Sequence, residues 1–95
     1  MSVKLLVADD EDTIRRGVVK YLQLHTDRFD KIYEAENGQE AYERFTSSAP
    51  GTYEAVLMDL QMPVMDGCTA ARMIRASSHP QARTIPIIAL TANAF

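Results

Sequence analysis

The chain lacks most of the features that would point away from a plain folded domain. Its 95 residues hold one cysteine, four prolines and four glycines. Cys68, being alone, cannot close an internal disulfide, and no Cys/His spacing resembles a zinc site. The longest apolar run near the N-terminus, Leu5 to Ala8, is too short for a signal peptide or a membrane span, which predicts a cytoplasmic chain without a membrane partner. A basic excess is missing too: 10 Lys+Arg face 13 Asp+Glu, a formal net charge of −3. With no surplus cation to drive counterion release, a direct nucleic-acid partner is not expected. Gly17, Gly38, Gly51 and Gly67 are scattered, which excludes a phosphate-cradling loop and a dinucleotide fingerprint. The remaining composition, 46% hydrophobic and 24% charged, is that of one globular domain. A chain of this length buries roughly two-thirds of its unfolded surface, enough for one core.

Short apolar runs alternate with amphipathic stretches. Leu5 to Ala8 reads as a strand that stops at four acids, Asp9 to Asp12. Asp12 or Thr13 can cap a helix whose apolar positions Ile14, Val18 and Leu22 recur at spacing four, with Tyr21 beside them. Lys31 to Glu36 is a second strand, ended by Asn37-Gly38, and a helix with Ala41, Tyr42 and Phe45 inward follows. Ala55 to Met58, closed by Asp59, is a third strand. After the Pro63 to Gly67 loop, a third helix carries Ala71 and Ile74. Ile85 to Leu90 supplies a fourth strand, and Thr91 to Phe95 would open a fourth helix. Strands that are apolar throughout and separated by helices predict a parallel sheet covered on both faces, an α/β doubly wound architecture.

In open α/β sheets the ligand site lies beyond the carboxyl ends of the strands. Strand one ends at Asp9-Asp10, strand three at Asp59 and strand four at Thr91, so residues up to about eighty positions apart converge on one rim. A lone aspartate there would be a helix cap or a solvated loop residue. Three carboxylates together repel one another unless a cation holds them, and such oxygen ligands suit Mg²⁺.

Three blocks now resemble a family. Val7-Ala8-Asp9-Asp10-Glu11, then Leu57-Met58-Asp59-Leu60-Gln61-Met62-Pro63-Val64-Met65-Asp66-Gly67, then Ala89-Leu90-Thr91-Ala92 are similar to the signature blocks of response-regulator receiver domains. The first and last are weak alone, whereas the D-x-x-M-P-x-M-D-G block is specific. The resemblance covers Met1 to Phe95 and implies a flavodoxin-like sheet. It also implies that Asp59 is a phosphoacceptor taking a phosphoryl group from a histidine of a kinase or a phosphotransfer domain. Asp9 and Asp10 would hold Mg²⁺ with Asp59, and the backbone carbonyl of Gln61 would be a further ligand. Thr91 and the backbone N–H of Ala92 would meet the phosphoryl oxygens. The implied class is a signalling module of two-component phosphorelays rather than an enzyme acting on a separate substrate.

Against the five strands of that family, four are expected here, and residues 1–95 read as a receiver lacking strand five, helix five and the lysine that ends strand five. The three lysines present do not replace it. Lys4 and Lys31 begin strands, and at about 3.3 Å per residue Lys4 starts more than ~10 Å from Asp9; Lys20 is in the body of helix one. The alternative is therefore a receiver-fold interaction domain that takes no phosphate. An aspartyl phosphohydrolase, which resembles D-x-D at its nucleophile, is disfavoured because Gln61 stands where the second acid would be. Strand four would be an uncovered edge, open to pairing with a second copy. Arg15 and Arg16 read as a solvated helix face or a contact for a partner kinase. His25 and His79 read as solvated or capping residues at helix ends, and Cys68 as packing.

Overall fold

The computed structural model describes residues 3–25 and 29–90. Their order is β1 (Val3–Ala8), α1 (Asp12–His25), β2 (Phe29–Ala35), α2 (Gly38–Thr46), β3 (Ala55–Asp59), α3 (Gly67–Ala76) and β4 (Ile87–Leu90). The strands form one parallel sheet in the order β2-β1-β3-β4. The chain therefore steps one way from β1 to β2 and the other way from β2 to β3. Right-handed crossovers then place α1 on one face and α2 on the other, with α3 beside α2. The expected doubly wound α/β fold is what forms.

The alternation of side chains along β1 divides its residues between these faces. Leu6 and Ala8 join Val56 and Met58 of β3 against Ala41 and Phe45 of α2 and Ala70 and Ile74 of α3, the main buried cluster. Leu5 and Val7, equally buried, point to the α1 side. Two caps start the helices of the main cluster. Asn37 accepts a hydrogen bond from the N–H of Glu40 at 2.8 Å, and Asp66 accepts one from Thr69 at 2.7 Å. Asn37-Gly38 thus ends one element and begins the next.

Several expectations need correction. In α1 the inward stripe keeps Val18 and Leu22, both half-buried, but Ile14 is 39% exposed and Tyr21 62%, and Arg15 is buried in place of Ile14. Among the described residues α1 packs chiefly on β1 and β2, and Ile14 lies on its outer side. Strand four begins at Ile87, not Ile85, because the N–H of Ile85 is spent on the carbonyl of Gln81 at 3.0 Å in the preceding turn. Cys68 is exposed, not packed, and in α3 the buried positions are Gly67, Ala70 and Ile74, with Ala71 half-buried. His79 is half-buried against the ring of Phe45, centroids 4.4 Å apart. Its Nδ1 accepts from the N–H of Gln81 at 3.1 Å, which leaves Nε2 to donate to the carbonyl of Ser48 at 2.9 Å. The side chain of His25 and the expected fourth helix lie outside the described residues.

Two glycines permit close main-chain approach where the site is built. A Cβ on Gly67 would lie 2.2 Å from the carbonyl oxygen of Asp59, and one on Gly38 would lie 2.2 Å from that of Met65. Gly17, in the middle of α1, has nothing within 4 Å of such an atom. Urea denaturation should therefore separate them. Gly38→Ala and Gly67→Ala lose about 1–3 kcal/mol or more as backbone is forced apart, whereas Gly17→Ala gains about 0.5–1 kcal/mol from helix propensity.

Candidate metal centre

The register of β1 and β3 makes the centre. Ala8 pairs with Met58, so the next residues, Asp9 and Asp59, leave the sheet side by side at its carboxyl edge. The N–H of Asp9 still bonds the carbonyl of Ala35 on β2 at 3.1 Å, and that of Leu60 bonds Leu90 on β4 at 3.3 Å. Both acids are thus held by main chain on either side. Asp10 follows in the β1–α1 loop. Carboxylate oxygens of Asp9, Asp10 and Asp59 lie within 4.8 Å of one another. Asp9 is buried, Asp59 half-buried and Asp10 exposed.

Each strand-end acid is steadied by a backbone donor two residues on. Asp9 Oδ1 accepts from the N–H of Glu11 at 2.9 Å, and Asp59 Oδ1 accepts from the N–H of Gln61 at 3.1 Å. One oxygen of each is so oriented, and Gln61 itself is exposed at the mouth. For Asp9 these forces do not cancel. Burial raises its pKa, the Glu11 N–H works in the other direction, and the charges of Asp59, Asp10 and Glu11 raise it further; the net direction is upward. Hard oxygen donors, clustered and carrying unbalanced negative charge, fit a small divalent cation such as Mg²⁺.

The residues around the centre are partly those expected. Thr91 and Ala92 lie outside the described residues; Leu90, the residue before them, pairs with Asp59. Asp66 of the D-G pair is the α3 cap, and its pKa is lowered chiefly by the backbone N–H of Thr69. Arg15 was not recognised as part of this region. It is 4% exposed. Nη1 donates to the carbonyl of Asp9 at 2.7 Å, Nε donates to Glu34 Oε1 at 2.9 Å, and Nη2 meets Asp12. Burial pulls its pKa down, but the hydrogen bonds to Asp12 and Glu34 outweigh this and raise it. The available signal was spacing: Arg15, Val18 and Leu22 share the stripe that faces the sheet.

The match to known proteins agrees with the three sequence blocks. The family model for the response regulator receiver domain covers residues 5–94. The chain belongs to that family. As a receiver domain it is 45% identical over 92 residues to the transcriptional regulatory protein SrrA of Staphylococcus aureus, which aligns 97% of this chain with 34% of that protein. The chain thus spans about a third of the length of the curated relatives it matches. The missing basic excess is a property of these 95 residues, not of the rest of such a regulator. Among solved structures, the Vibrio cholerae chemotaxis protein CheY4 is 27% identical with a TM-score of 0.81, covering all of this receiver and 72% of that chain. The receiver domain of the sensor histidine kinase PA1611 from Pseudomonas aeruginosa is 32% identical, with a TM-score of 0.78 and 71% of that chain covered. That domain carries a magnesium ion in its active-site cleft. Among the described residues of this receiver, no helix is long and apolar enough to cross a membrane.

The raised pKa of Asp9 has a definite sign for stability. A proton held more tightly in the folded chain favours folding fully below the ordinary carboxylate value. That advantage is lost as pH rises through the raised folded value. Near neutral pH without metal, the ionised group therefore works against the fold. Asp9→Asn keeps the oxygen facing Glu11 and removes the charge. Urea denaturation with EDTA at pH 7 should show it more stable than wild type, a gain that shrinks as pH falls toward the ordinary carboxylate range. Equal stability throughout would mean that the repulsion is relieved some other way.

Proposed function

We propose that this receiver domain, residues 1–95, is the phosphoacceptor of a two-component phosphorelay, with Asp59 as its nucleophile. The observation carrying this reading is the meeting of three carboxylates at the carboxyl edge of the sheet, beside a strand end whose next residue is Thr91. The donor is a phosphohistidine on a histidine kinase or a histidine phosphotransfer domain. A carboxylate oxygen of Asp59 forms a bond to phosphorus, the N–P bond of the phosphohistidine breaks, and the imidazole leaves with the electron pair. Little acid/base work is needed, so positioning and charge compensation carry the reaction. The N–H of Gln61 fixes one oxygen of Asp59 and leaves the other to attack. Asp9, Asp10, Asp59 and the Gln61 carbonyl would hold Mg²⁺, which when bound neutralises the charge of the incoming phosphoryl group. Thr91 and the N–H of Ala92 would meet the phosphoryl oxygens. On this reading the domain is a cytoplasmic signalling module that modifies itself, and it turns over no separate substrate.

One observation favours a second reading, in which the same fold binds partners without taking phosphate. Among the described residues no lysine stands at the rim: Lys4 and Lys31 are early in β1 and β2, with the Lys31 ammonium 5.5 Å from the Tyr33 ring centre, and Lys20 is exposed on α1. Incubation with acetyl phosphate and Mg²⁺, followed by intact mass, separates the two. One base-labile phosphoryl group should appear, should map to Asp59 and should be absent from Asp59→Asn. Asp10→Asn should slow its appearance by about a hundredfold. A chain that binds Mg²⁺ and stays unmodified supports the second reading instead. The outer edge of β4, where Ile88 is half exposed, is the surface on which a second copy would pair. Light scattering over a concentration series should then show a monomer–dimer equilibrium.

A further inference from the structure

A guanidinium keeps its charge at any working pH and brings five N–H donors in a fixed plane, so a buried one must be met by acceptors on several sides. Arg15 meets three, from three different segments: the carbonyl of Asp9 after β1, Asp12 in the first turn of α1, and Glu34 on β2. A helix-surface ion pair would need only Asp12, three residues away, and an exposed pair of that kind contributes little. The Asp9 contact differs in kind. It is buried, it is 2.7 Å long, and it goes to a main-chain oxygen.

That oxygen belongs to the peptide linking Asp9 to Asp10. The peptide is planar, so fixing its carbonyl fixes the plane from which both residues depart. Asp9 is already held from β2 through its own N–H, whereas Asp10 is exposed in the loop. The orientation of this one peptide therefore governs where the Asp10 carboxylate stands relative to Asp59. Glu34 closes the brace by holding Nε on the far side of the guanidinium, so that the plane of Arg15 is set from β2.

We infer that Arg15 is a positioning residue for the metal centre, locking the Asp9–Asp10 peptide so that the Asp10 carboxylate is presented to a divalent cation, with Glu34 as its anchor. This rests on the reading of Asp9, Asp10 and Asp59 as metal ligands. It carries a sign that simple electrostatics does not share. Arg15 is a cation beside a cation site, so by charge alone its removal should tighten Mg²⁺ binding. Positioning requires the opposite.

The test is calorimetric titration of the 95-residue chain with Mg²⁺, with thermal melting of every variant to establish that it is folded. Asp10→Asn should lose Mg²⁺ binding and so tests the metal reading itself. Arg15→Met, which keeps the apolar stem, should bind at least tenfold more weakly. Arg15→Lys, which keeps the charge but lacks the planar fork, should fall between Arg15→Met and wild type. Glu34→Gln, which leaves Arg15 and the three acids in place, should weaken binding severalfold. Unchanged or tighter binding by folded Arg15→Met overturns the inference while Asp10→Asn still upholds the metal site. If Arg15→Met does not fold, wild-type affinity in both Arg15→Lys and Glu34→Gln overturns it. If wild type binds no better than Asp10→Asn, the metal reading fails and takes the inference with it.

Discussion

The parallel pairing of β1 with β3 is the constraint from which the rest of this domain follows. Parallel neighbours that are covered on both faces must be apolar along their length, so polar groups can only leave the sheet at its ends. Because Ala8 pairs with Met58, the acid that follows β1 and the acid that ends β3 emerge at the same height on the same edge. Asp9 and Asp59 are therefore brought together by hydrophobic register rather than by any attraction between them. A shift of one strand by one residue would turn its buried side chains to the other face, which the core on both sides forbids.

The site is also tied to the α2–α3 layer by main chain. The loop after β3 returns so closely that the N–H of Gly67 bonds the carbonyl of Leu60, and α2 is packed against the same loop through Gly38 and Met65. These approaches leave no room for a side chain. Any displacement of the Asp59 loop is consequently felt at the start of both helices, where the caps Asn37 and Asp66 sit. The α1 face is different, since it is braced to the centre by a side chain, Arg15, and by no close backbone contact of this kind among the described residues.

This difference explains what could be seen in the sequence. The strands, the parallel sheet and the acids at the rim depend on local residue type and on topology, and both are readable from a linear pattern. Asn37-Gly38 reads only as a strand end and Asp66-Gly67 only as loop, because cap and close approach depend on the helix and main chain that meet them. Arg15 was misread because periodicity treats a charged residue as outward. Only the meeting of Asp9, Asp12 and Glu34 around it supplies the partners that make its burial tolerable. Ile85 was misread because a β-branched apolar residue counts toward a strand, while the bond from its N–H to Gln81 is decided by the turn. His79 caps its turn as expected, but its packing on Phe45 was not legible because the two are far apart in sequence.

The compensation available to the acids without a cation is small. Backbone donors at Glu11 and Gln61 each hold one oxygen. The start of α1 at Asp12 adds the positive end of a helix dipole near Asp9 and Asp10, an effect of about 0.3–1 kcal/mol for a surface charge. The nearest buried cation, Arg15, directs its donors at the Asp9 carbonyl, at Asp12 and at Glu34 rather than at the rim carboxylates. Its position follows from that choice: a guanidinium turned to Asp9, Asp10 or Asp59 would neutralise them and compete with a metal. Turned to the backbone behind them, it shapes the loop and leaves their negative charge in place. The arrangement therefore maintains an excess of negative charge at one edge of an otherwise well-satisfied domain, and that excess is what a divalent cation would meet.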